Sequence, residues 1–247
     1  MTYPLAVAGL SAVFAVVVLA QYVRRRRPYQ LVWAIALLMS ALASAAYVLA
    51  LSPSESMFAF RLYYALGGLL MPAFLGLGSI YLAMPRRVAD YTLGGLINAG
   101  ALGAGAVFAA GIDQAAFARL GGGPGAGVLE PGVWLPITIV LNTFGVVAVV
   151  GVAIYSAVRL VKRRGSGHIV AANILIALGD LVVGAAGSLA RTGRPELFWG
   201  TMLAGWVVIF AGFLLTSMQP ATEGSRPGTV LSSQPQPAGP AGKTPAA

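Results

Sequence analysis

Residues 169–190 read IVAANILIALGDLVVGAAGSLA, a run of 22 residues whose one ionisable side chain, Asp180, stands at its centre. At 1.5 Å of rise per residue the run makes a helix about 33 Å long, enough to cross a hydrocarbon slab of about 30 Å. It is apolar around most of its circumference, as a membrane-crossing helix must be. Six further stretches have the same character: Pro4–Val23, Gln30–Leu51, Arg61–Met84, Tyr91–Ile112, Val133–Val158 and Leu197–Met218. The pattern predicts an all-α polytopic membrane protein with seven transmembrane helices over residues 1–218. Spans of a β-barrel would be about ten residues long with alternating polarity, which these are not.

Composition agrees. The 247 residues are 58% hydrophobic and 9% charged, against about 25% charged in ordinary soluble domains. Beyond Met218 the chain turns to Pro, Gly, Ser, Thr and Ala, with QPQPAGP at 234–240. Such a segment buries too little apolar surface to fold, so 219–247 is expected to be a disordered cytoplasmic tail, either a spacer or a docking segment.

The basic residues set the orientation. Arg24, Arg25, Arg26 and Arg27 follow the first span, Arg86 and Arg87 the third, and Arg159, Lys162, Arg163 and Arg164 the fifth. With Arg226 and Lys243 in the tail, twelve of the sixteen Lys and Arg fall on one side of the membrane, leaving Arg61, Arg119, Arg191 and Arg194 on the other. The positive-inside rule places the N-terminus outside and the C-terminus in the cytoplasm, the expectation for a bacterial cytoplasmic membrane. The net charge of +9 therefore reports topology, not nucleic-acid binding. Arg24–Arg27 are candidates for contact with anionic lipid headgroups. The first span has no basic region before it and four arginines after it, so it is expected to be retained as a helix and not cleaved as a signal peptide.

Several chemistries are excluded by what is missing. There is no cysteine, hence no disulfide or thiolate metal site. The single histidine, His168, supplies neither a pair of haem ligands nor a His-rich metal site, and reads as a helix-end residue at the interface. A retinal protein needs a lysine in the last helix, and Leu197–Met218 has none. GGGPGAG at 121–127 lacks the Lys-Ser/Thr of a phosphate loop and reads as a flexible linker between spans. No nucleophile–base pair or paired carboxylate appears at a common depth, so an enzyme and a bound cofactor are not expected.

Asp180 is the residue to explain. It lies about 16 Å along the span from Ile169, near the middle of the slab, where an ionised carboxylate is expensive and acids face the bundle interior or a wet cavity. With no cation at that depth, an uncharged carboxyl is expected. Asn173, Ala177, Asp180, Gly184, Gly187 and Arg191 recur on one small, polar stripe that is expected to face protein. Asn142 of the fifth span, sharing a face with Thr138 and Gly145, and Asn98 of the fourth, among Gly94, Ala101 and Gly105, sit at similar depth. Asp180, Asn142, Asn98 and Asn173 are thus the candidate solute or proton site; interhelical hydrogen bonding that serves packing alone is the competing explanation. Pro72 is expected to kink the third span and is a candidate hinge. Tyr63, Tyr64, Trp134, Phe198 and Trp199 fall at outer helix ends and read as an interfacial aromatic belt.

Spans one to three and five to seven repeat an order of features: span, basic cluster, span, short outer loop with Glu55 or Glu196, span ending in AMP (83–85) or SMQP (217–220). With the fourth span as linker, this 3+1+3 parallel repeat resembles the SWEET sugar transporters in topology. The Pro-Gln motif of that family is absent from the first span of either unit, so its substrate and site residues are not carried over. RLYYALGG (61–68) and GLGSIYLAMPRR (76–87) resemble uncharacterised seven-span membrane proteins of high-GC bacteria and the seven-span input regions of some sensor kinases. Two functions are consistent with these features. One is a transporter of a small solute, coupled to protons, with a polar midplane site. The other is a sensory or scaffold module that works through a separate cytoplasmic protein partner.

Overall fold

The computed structural model describes residues 2–52, 56–120, 122–163, 166–191 and 194–217, the side chains at 188, 190, 191 and 217 excepted. The tail 219–247, Glu55 and Arg164 lie outside the described residues. Seven helices are long and apolar enough to cross a membrane. They are α1 (Thr2–Arg25), α2 (Pro28–Ala50), α3 (Met57–Ala83), α4 (Arg86–Ala109), α5 (Trp134–Lys162), α6 (Gly167–Arg191) and α7 (Phe198–Ser217).

Local chemistry sets the boundaries. At the end of α1, Arg26 turns into the left-handed region at φ 51° and its amide donates to the Tyr22 carbonyl at 2.7 Å. Arg27 is then extended, the conformation a following proline favours, and Pro28 opens α2 where a missing N–H costs nothing. Ser56 caps α3 by accepting from the Ala59 amide at 3.2 Å. Arg24 to Arg27 are exposed at the turn.

Six helices close a ring in the order α1, α2, α3, α5, α6, α7, with α7 returning to α1, while α4 lies outside it against α3 and α5. The ring thus consists of the two three-helix sets singled out by the order of features in the sequence. Close approach depends on glycine. A Cβ on Gly179 would come 2.8 Å from the Gly205 carbonyl oxygen, and one on Gly205 would come 2.9 Å from that of Gly179, so α6 and α7 touch backbone to backbone. Gly76 of α3 and Gly145 of α5 meet in the same way, a Cβ on Gly76 falling 2.8 Å from the Gly145 Cα.

The third helix departs from expectation in its interior. Its segment Tyr64–Leu70 is π-helical and runs directly into Met71 and Pro72. The distortion is therefore a widened stretch of hydrogen-bond ladder on the N-terminal side of the proline, a form often found at functional positions.

The loop after α4 is built as a cap. Ile112 and Leu129 form an antiparallel bridge, flanked by hydrogen bonds from Asp113 N to Val128 O at 2.9 Å and Glu130 N to Gly111 O at 3.0 Å. A short helix, Gln114–Ala118, is capped by the Asp113 side chain and buries Phe117. Gly122, Gly125 and Gly127 have φ of 90°, 76° and 86°, and Gly125 lies directly on the Phe60 ring. Its glycines thus make a fitted turn and not the flexible linker that composition suggests. The tyrosines beneath explain the fit: Tyr47, Tyr63 and Tyr64 donate their hydroxyls to the carbonyls of Gly123, Pro124 and Gly125.

Candidate functional site

Under this cap lies a cavity of about 710 Å³, within the range of roughly 300–1,000 Å³ typical of small-molecule sites. Its roof is the loop from Pro124 to Pro131, and its walls come from α2, α3, α5, α6 and α7, with Val7 of α1 at one edge. Asp180 lines it, 11 residues from the end of α6 at Arg191 and hence about 16 Å below that end.

The carboxyl of Asp180 is enclosed, with 4% of the residue exposed, and its Oδ2 is buried without a hydrogen-bond partner. No Lys or Arg is among the lining residues. An unpartnered buried polar oxygen carries a desolvation cost of about 1–3 kcal/mol, and it is the feature that distinguishes this cavity from ordinary packing. Gly179 explains its placement, because the α6–α7 contact next to it holds the helix face that presents Asp180.

Asn142 lines the same cavity from α5. Its Nδ2 donates to the Gly68 carbonyl of α3 at 2.7 Å and to the Thr138 carbonyl of its own helix at 2.9 Å. Gly68 stands in the π-helical stretch just ahead of Pro72, which has no N–H to give, so the asparagine adds a donor where the ladder is widened and one backbone donor is missing. Pro72 also lines the cavity, and its carbonyl sits directly against Gly145. The π-helical stretch, the proline and Asn142 thus form one unit in the wall.

The two other asparagines are elsewhere. Asn98 is exposed on α4 and donates to the Gly94 carbonyl at 2.8 Å, with α4 itself outside the ring. Asn173 donates to the Ile169 carbonyl at 2.9 Å near the inner end of α6 and is not among the lining residues. Both amides are satisfied by the turn of helix before them, the local bond that short polar side chains favour. The sequence gives Asn98 a height along its span, but its azimuth around the bundle is set by where α4 packs.

The aromatic residues expected at the lipid interface point inward. Trp134, Tyr63, Phe198 and Trp199 are each under 8% exposed, and Tyr64 is partly buried. Their rings run in a chain: Trp134 to Tyr64 at 5.6 Å and Tyr64 to Tyr63 at 5.4 Å meet edge to face, and Tyr63 to Trp199 at 6.0 Å is tilted by 37°. All five line the cavity. Position at a helix end is common to a belt and to a cavity rim; the hydroxyl acceptors in the cap decide between them.

The lining reaches the outer surface between α5 and α6. Val147 is 65% exposed and Leu181 48% exposed, Thr143 and Ala185 are exposed as well, and all four line the cavity. Gly184 adds no side chain to close the gap. Below the cavity the bundle is filled by Phe14, Trp206, Phe210 and Phe213, with Phe14 centroids 4.7 Å from Phe210 and 4.9 Å from Phe213. A shallower hollow of about 450 Å³, lined by Tyr155, Arg159 and Lys162 among others, lies at the basic end of α5. Among the described residues no group of three or more His, Cys, Asp or Glu is placed to hold a metal.

Seven apolar helices with large hydrophobic side chains on their outer faces define an integral, polytopic membrane protein in contact with a lipid bilayer. Comparison with known protein families, curated proteins and solved structures finds no match. The resemblances drawn from span order and from residues 61–68 and 76–87 therefore assign no family to the chain.

Proposed function

We propose that this chain is a non-enzymatic membrane carrier for a small solute, which sits in the capped cavity with Asp180 as the group that binds it or the proton that accompanies it. The observation that carries the reading is the unpartnered Asp180 Oδ2, buried in the wall of a cavity of about 710 Å³. Intramembrane acids in such settings mark solute and proton pathways. The Pro72 unit is the candidate hinge, because the π-helical stretch and Asn142 supply an alternative to the regular ladder where a rearrangement costs least.

The test is flux. Purified protein is reconstituted in liposomes loaded with a pH-sensitive dye, and a panel of small solutes is added outside. The expected result is a saturable, solute-driven pH change that disappears in Asp180→Asn. A panel without any such change, in protein shown by ligand-induced stabilisation to bind a panel member, would instead support the sensory or scaffold reading. That second reading is favoured by the aromatic packing of Phe14, Trp206, Phe210 and Phe213, which closes the bundle beneath the cavity.

A further inference from the structure

The polar groups around the cavity differ in how they are engaged, and the difference specifies the ligand. The Tyr63 and Tyr64 hydroxyls donate to the cap carbonyls of Pro124 and Gly125, Thr138 Oγ1 donates to Trp134 O at 2.8 Å, and both Nδ2 hydrogens of Asn142 are committed. Ser40 Oγ pairs with Ser11 Oγ at 3.0 Å. These donors are directed at the protein, whereas the Asp180 carboxyl in the lining carries an oxygen, Oδ2, that is buried without a hydrogen-bond partner. The lining's other unpartnered buried atom, Trp199 Nε1, belongs to a ring packed on Tyr47 at 4.7 Å between centroids, and it bears no charge.

We infer that the cavity takes a lipophilic amine: a protonated nitrogen donating to Asp180, carried on an apolar body that lies among the aromatic rings of the outer half. This rests on the reading of the cavity as a solute site and names the class of solute. A neutral polyol could use the Ser44, Thr143 and Asn142 groups of the lining, but it would leave the Asp180 acid without a cationic partner. An anion would meet a carboxyl with no cation among the lining residues. A zwitterionic phospholipid headgroup would bring its phosphate to the same place, so the free amine is the better fit. Aromatic faces add attraction for a cation on its way in, and the exposed lining at Thr143, Val147, Leu181 and Ala185 gives a route from the lipid side, where such a molecule partitions.

The experiment compares three ten-carbon probes, decylamine, decanol and decanoate. Binding is measured by equilibrium dialysis against the full chain in phosphatidylcholine nanodiscs, with empty nanodiscs subtracted. Decylamine is expected to bind saturably and most tightly. Asp180→Asn is expected to weaken it roughly 10–100-fold, the range of a lost charge-assisted hydrogen bond, and Asp180→Glu to weaken it less. Thermal melts of both variants separate this from misfolding, and Asp180→Glu keeps the test alive if the asparagine variant is unstable. The inference is overturned if decanol or decanoate binds as tightly as decylamine, or if folded Asp180→Asn binds decylamine within about twofold of wild type. Those results, like saturable binding of none of the three, remove the amine and leave the carrier reading to the flux test.

Discussion

The bond between Asn142 and Gly68 allows a quantitative test of the wall unit. Replacing Asn142 by leucine keeps the volume and removes two hydrogen bonds, but only one of them matters. The Thr138 carbonyl is four residues before Asn142 and still receives the backbone N–H of residue 142, as in any helix. The Gly68 carbonyl lies in the widened π-helical ladder just before Pro72, so the leucine variant takes away the donor that α5 supplies across the interface. A hydrogen bond of this kind between membrane helices is worth about 0.6 kcal/mol on average and about 1.7 at most, so Asn142→Leu should destabilise by about 1–2 kcal/mol. Pro72→Ala supplies an N–H at position 72, which a return of the stretch to the α register would bring to the Gly68 carbonyl. In that background the same leucine substitution should cost little, giving a coupling of about 1 kcal/mol between two residues on different helices. Reversible unfolding in a denaturing-detergent titration, followed by the fluorescence of the four tryptophans, measures all four corners of the cycle. Costs that add to within about 0.5 kcal/mol would refute the assignment of Asn142 as the surrogate donor.

Other expectations are as direct. Because the chain has no cysteine, single cysteines at Gly122 and Arg163 report topology: a membrane-impermeant maleimide should label the first in intact cells and the second only after lysis, and the reverse would invert the orientation. Gly76→Val should lower stability by about 1–3 kcal/mol, since its Cβ would meet the Gly145 backbone, whereas Gly105→Ala, with nothing within 4 Å of the added carbon, should be neutral or better; detergent melts compare the two. Gly125→Ala forces a side chain into φ 76° and onto Phe60, costing about 1–2 kcal/mol for the conformation alone, and should raise amide exchange across 122–130; unchanged exchange would mean that the cap is held by something other than its fit to the three tyrosines.

Legibility followed the physics of each signal. The length and polarity of the spans are properties of single segments in a slab of fixed thickness, so the α-helical class, the number of spans and the position of the basic clusters follow from composition along the chain. Asp180 was legible for the same reason, since a charged group at mid-membrane depth needs a protein-lined setting wherever its neighbours come from. The glycine-rich loop was not. Its residues were read by composition, yet their purpose is to fit carbonyls over three tyrosines from two helices far away in sequence. The aromatic set shows the same limit: a helix-end position fixes height in the membrane, and a belt and a cavity wall share that height.

Hydropathy and charge alone determine that this is a seven-helix membrane protein, which end of each helix the arginines mark, and that Asp180 is the acid at its centre. Only the tertiary structure decides which polar groups meet. It brings Asp180 and Asn142 to one cavity, leaves Asn98 on the outer helix and Asn173 near the inner end, and sets the Asn142 amide on the Gly68 carbonyl in the widened ladder before Pro72. The physical reason is that a span's depth is fixed by its own sequence, whereas its rotation and its neighbours are fixed by backbone contacts between glycines on different helices.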